Sequence, residues 1–146
     1  MSASARKGIF DAIITAFQGI TVAGGYNSNL GAKVFRWRNA PLDESEDYGL
    51  FVSWESDSRP DVDSATVHHV LTVRARIVVK DGASTEATLD KMEEDVVKVI
   101  ETNYTWGGLA YNTDGPTSEP LMEQHAEKIG GMDITFTVNY RTTRRA

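Results

Sequence analysis

Two long stretches of alternating apolar and polar residues constrain this chain more than any other feature. Along Val67–Lys80 and again along Met132–Arg141, one set of alternate residues is almost entirely apolar. Because successive side chains of a strand point to opposite faces, each stretch would present one apolar face and one mostly polar face. The sequence therefore predicts a sheet that is buried on one side and faces solvent on the other.

Two segments show helical periodicity. The first runs from about Ser4 to Gln18, and the second runs from about Thr85 to Asn103. Apolar residues recur in both at steps of three and four, which gives each helix one apolar stripe. In the second helix we expect the run Glu93, Glu94 and Asp95 to lie on the solvated face.

Further strands are predicted at Ala32–Arg38, Tyr48–Glu55 and about Pro120–Glu127, with a turn at Gly130 and Gly131 before the last strand. The order helix, strands, helix, strands lacks regular βαβ alternation. It favours an α+β fold in which an antiparallel or mixed β-sheet carries two main helices on one face. The length of 146 residues predicts a single domain, 1–146.

Two segments are expected to be exposed loops. The first, Gly24–Ala32, is rich in Gly and Asn. The second, at about 55–66, contains Pro60 and the carboxylates of Asp57, Asp61 and Asp63. Those three aspartates could hold a calcium ion, but the loop lacks the glycine and the distal glutamate of a helix-loop-helix calcium site. A solvated acidic loop is the preferred interpretation.

The charge distribution argues against nucleic-acid binding as the main task. The net charge is -6, and Asp43–Asp63 holds eight acidic residues and one basic residue, which gives -7 in that stretch. Affinity for phosphates comes chiefly from clustered Lys and Arg. The chain has no cysteine, so disulfides and thiolate metal sites are excluded. Its apolar runs are far shorter than the roughly 20 residues of a membrane span, so we expect neither export nor membrane insertion.

The sequence provides no pattern typical of an active site. His68 and His69 are neighbours on a predicted strand, so their side chains point to opposite faces and cannot easily bind one ion. Neither His125 nor any serine lies in a recognisable catalytic pattern. We therefore expect no catalytic residue, no metal and no cofactor.

Candidate contacts with other subunits are side chains that can anchor a partner. Arg36 and Arg38 share the polar face of a predicted strand, and Trp106 lies in a glycine-rich turn after the second helix. The remaining candidates are three arginines at the end of the chain, Arg141, Arg144 and Arg145.

Three segments together resemble the tail terminator (tail completion) proteins of long-tailed bacteriophages. They are the N-terminal amphipathic helix "GIFDAIITAF", the long strand and helix "HHVLTVRARIVVKDGASTEATLDKMEEDVVKVIE", and the closing strand "GGMDITFTVNYRT". The resemblance covers most of the chain as a pattern of elements. It implies a virion protein of the tail-neck region, assembled in the host cytoplasm, that forms a homo-oligomeric ring of six.

Such a ring caps the tail tube, ends tube polymerisation and provides the surface for head-tail joining. The implied partners are the tail tube protein and the head-tail connector or stopper protein, and DNA passes through without specific binding. A channel of this kind would suit an acidic lining, from Asp43–Asp63 or from the helix carboxylates, because like charge prevents sticking. The alternatives are another neck or tail tube subunit or, in a different class, a small ligand-binding domain or enzyme.

Overall fold

The computed structural model describes residues 4–37, 47–62, 65–80, 85–124 and 128–143. In chain order the elements are α1 (Ala5–Gln18), a 3-10 helix (Leu30–Lys33), β1 (Val34–Arg36), β2 (Tyr48–Val62), β3 (Thr66–Lys80), α2 (Thr85–Thr102), β4 (Asn112–Gln124) and β5 (Lys128–Thr143). The predicted α+β class is confirmed.

The five strands form one mixed sheet in the order β1-β2-β3-β5-β4. Only the short pair β1-β2 is parallel, and the other three pairs are antiparallel. β3 and β5 pair along nearly their whole length, from Thr66 opposite Thr143 to Lys80 opposite Ile129. The two strands with the clearest alternation are therefore neighbours at the centre of the sheet.

Both helices cover the apolar side of this sheet. Ser4 caps the start of α1: its side chain accepts a hydrogen bond from the backbone N–H of Lys7 and so satisfies a donor that lacks an intrahelical partner. The apolar stripes of both helices pack against the same face of β2, β3 and β5 in one core. Its large members include Phe10, Phe17, Leu71, Ile77, Val96, Val99, Trp106 and Phe136.

β2 is seven residues longer than predicted, and this corrects the expected loop at about 55–66. Residues as far as Val62 pair with β3, although the stretch is rich in Ser and Asp and contains Pro60. Register shifts between Trp54 and Ser56 and between Ser58 and Asp61 place extra residues in β2. The long apolar strand β3 supplies a pairing partner that the local composition of β2 does not reveal.

β4 and β5 also extend further than the sequence predicts. Gly130 and Gly131 lie inside β5, opposite Met122 and Leu121, so the predicted turn at these glycines is wrong. β4 begins at Asn112 and continues through Gly115 and Pro116, where a register shift between Asp114 and Thr117 leaves one extra residue in the strand. Glycine and proline mark an irregularity of an edge strand here rather than a turn between strands.

Candidate functional site

At one edge of the sheet, the short strand β1 pairs with only part of its neighbour β2. β1 pairs with β2 only from Leu50 to Val52, and the backbone N–H of Trp37 adds one more bond, to the carbonyl of Val52 at 2.9 Å. Beyond Val52, no strand among the described residues pairs with the outer edge of β2. We call Trp37 together with residues 53–58 the Trp37 edge.

The ring of Trp37 is exposed at this edge and packs against two other aromatic rings. It lies 5.6 Å from the ring of Trp54 and 6.2 Å from that of Phe10, and about half of the residue is exposed (51%). Its φ is +57°, a left-handed conformation that is strained for a bulky residue. The guanidinium of Arg6 lies 4.3 Å from the Trp54 ring centroid. A shallow depression of about 360 Å³ lies next to Trp37 and Trp54 and extends to Glu55.

Arg36 lies beside this edge, and its contact with another subunit stays a prediction. Its guanidinium forms an ion pair with Asp11 and lies 4.7 Å from the ring centroid of Phe10. The hydrogen bond from Lys7 and then that from Arg36 hold the pKa of Asp11 below its usual value. Arg36 therefore joins β1 to the outer face of α1. Arg38, the other candidate on this segment, lies outside the described residues.

A different surface lies at the opposite edge of the sheet, next to β4. The turn of residues 103–111, which precedes the edge strand β4, exposes Tyr104 (52%), Leu109 (52%) and Tyr111 (45%). The guanidinium of Arg141 lies 4.3 Å from the Tyr111 ring centroid. We call this surface the β4-side turn. Of the terminal candidates, Arg141 belongs to it, and Arg144 and Arg145 lie outside the described residues.

Trp106 lies in the same turn but points inward, so the prediction that it contacts a partner is wrong. The residue is only 2% exposed, and its ring stacks on Phe136 and meets Phe17 edge-on. Its indole N–H donates to the hydroxyl of Thr113 at 2.9 Å. Trp106 has a φ of +49°, and Gly107 and Gly108 also adopt positive φ. The turn conformation rotates the ring into the core.

The side chain of Asp57 is buried, in contrast to the expected acidic loop. If side chains alternated strictly from Trp54 onward, Asp57 would lie on the face of the sheet without helices. The extra residue at the bulge shifts the alternation by one residue, so that Asp57 pairs with the core residue Leu71. Its carboxylate is 4% exposed and accepts hydrogen bonds from Arg6 (3.2 Å) and from the Tyr140 hydroxyl (2.5 Å). The bulge could not be read from the sequence.

A third contact links Asp57 to His69. The Asp57 carboxylate lies 3.0 Å from His69 Nδ1, and His69 Nε2 lies 2.7 Å from the Thr142 hydroxyl. A carboxylate, an imidazole and a hydroxyl in this order can activate the hydroxyl as a nucleophile. The imidazole, however, is 6% exposed and is covered by the Tyr140 ring, 4.3 Å away. Such burial is typical of a structural polar cluster. We call Asp57 and its partners Arg6, His69, Tyr140 and Thr142 the Asp57 cluster.

The other two aspartates of the predicted acidic loop do not join Asp57 in a described site. Asp61 lies in β2 opposite His68, and Asp63 lies outside the described residues. Within the described part of the chain, no three His, Asp or Glu side chains are grouped so that they could hold a metal ion.

Asp95 also departs from prediction, because it is 2% exposed rather than solvated. Its carboxylate accepts from the backbone N–H of Asn27 (2.8 Å) and from the hydroxyl of Ser28 (2.6 Å). Asp95 thus fastens the loop after α1 to α2. The loop is exposed only in part: Leu30 is buried, and a Cβ built on Gly31 would lie 2.4 Å from the carbonyl oxygen of Gln18.

Comparison of the chain with protein-family models and with curated proteins finds no match. The helices of the described residues are too short or too polar to span a bilayer.

Proposed function

We propose that this chain is a structural subunit that associates head to tail with copies of itself to form a ring, and that the ring is a tail terminator of a long-tailed bacteriophage. In this role it caps the tail tube, ends tube polymerisation and presents the surface that joins tail to head. Its partners are the tail tube protein and the connector or stopper protein.

The observation that supports assembly is the difference between the two sides of the sheet. Among the described residues no strand pairs with the Trp37 edge beyond Val52, and this edge exposes an aromatic ring, whereas β4 carries Pro116 and Pro120, which have no amide hydrogen to offer a neighbouring strand. An isologous contact needs the same patch on both copies, and a head-to-tail contact needs two different patches. Two unlike surfaces at the two edges of one sheet favour the head-to-tail arrangement.

The choice of a tail terminator rests on the resemblance in element order. The amphipathic helix α1, the long central strand β3 followed by α2, and the closing strand β5, which carries Tyr140 and Arg141 near its end, correspond to the three segments that carry the resemblance. DNA passes through such a ring without specific binding. The acidic side chains exposed on α2, which include Asp90, Glu94 and Glu101, are the proposed lining, because like charge keeps DNA from adhering. Asp57 is excluded from it by its burial.

The experiment is tube polymerisation in the presence of this chain. Tail tube protein from the same genome is polymerised with increasing amounts of the chain, and tube lengths are measured by negative-stain electron microscopy. We expect shorter tubes with additional density at one end. Tubes of unchanged length and with bare ends would contradict the proposal.

A small enzyme is the second candidate function, and the specific observation that favours it is the Asp57-His69-Thr142 arrangement. An activated ester or phosphonate probe tests it. Covalent labelling of Thr142 in the wild type that is lost in His69→Ala would favour hydrolase chemistry. The burial of His69 leads us to expect no labelling.

A further inference from the structure

We draw no further inference here: the strongest candidate, the cleft of about 590 Å³ on the face of the sheet without helices, which is lined by Glu55, Arg74, Asp114 and Asp133 among others, carries no proposal, because these four side chains are already paired with one another or with neighbouring side chains and nothing in the described part of the chain identifies a ligand that would replace those partners.

Discussion

Asp57 and Tyr140 are separated by 83 residues in the chain, yet the phenol hydroxyl of Tyr140 donates to the Asp57 carboxylate across 2.5 Å. The contact joins β2 to β5 across the intervening strand β3. Arg6 of α1 and His69 of β3 bind the same carboxylate. One buried side chain thus connects three strands and the first turn of α1.

Removal of the Asp57 carboxylate should therefore destabilise the fold. Asp57→Ala leaves the buried polar groups of His69 and Tyr140 without their acceptor, and such losses cost about 2–4 kcal/mol of unfolding free energy. Urea unfolding followed by circular dichroism measures the change. Glu119→Ala, on the exposed part of β4, is the control and should change stability by less than about 0.5 kcal/mol. An equal effect of the two substitutions would contradict the role assigned to Asp57.

Tyr140 should make the protein less stable at high pH. Burial raises the pKa of its phenol, and the hydrogen bond to Asp57 raises it further. The unfolded phenol, with a pKa of about 10, loses its proton first, so unfolding releases a proton in this range. The stabilisation is complete below about pH 10 and is lost as the pH rises above it. Urea midpoints measured from neutral to alkaline pH should decline less steeply in Tyr140→Phe; identical slopes would refute the assignment.

Trp106 should stabilise the monomer rather than a contact between subunits. Trp106→Ala removes a ring that stacks on Phe136, and large-to-small changes of this kind cost about 3–5 kcal/mol. Thermal unfolding of dilute, monomeric protein is the measurement. Tyr104→Ala, in the same turn but exposed, serves as the comparison and should leave monomer stability nearly unchanged. A monomer that tolerates Trp106→Ala would restore the partner-contact interpretation.

Asp95 should hold the loop after α1 in place. In Asp95→Ala the backbone N–H of Asn27 and the hydroxyl of Ser28 lose their acceptor, so amide hydrogen exchange between residues 21 and 29 should become faster. The expected loss of unfolding free energy is about 1–3 kcal/mol. Glu101→Ala, on the exposed side of α2, is the control. Unchanged exchange in this loop would show that other contacts fix it.

The sequence predicts those helices and strands whose buried side chains recur at a regular helical or strand spacing. α1, α2, β3 and β5 were all expected within a few residues of their observed ends, apart from the start of β5, because each has a continuous apolar stripe on the helical or the strand period. The mixed character of the sheet depends on β1, which was predicted at Ala32–Arg38 but spans only Val34–Arg36, because Leu30–Lys33 forms a 3-10 helix; its alternation does not reveal that it pairs parallel to β2.

The Asp57 cluster and the second half of β2 could not be predicted, for a physical reason. A single bulged residue between Trp54 and Ser56 exchanges the two faces of the strand, and its position is set by pairing with β3 rather than by local composition. Asp95 was missed because its partners Asn27 and Ser28 lie in a loop that is distant in sequence. Tertiary contacts decide which carboxylates of an acidic stretch are buried.

The most direct test of the central claim is the mass of the assembled wild-type chain. Native mass spectrometry over a range of protein concentrations should show one closed species of fixed subunit number, six if the resemblance to tail terminators holds, in equilibrium with monomer and without larger species. A chain that remains monomeric at every concentration, or that stops at a symmetric dimer, would contradict head-to-tail assembly.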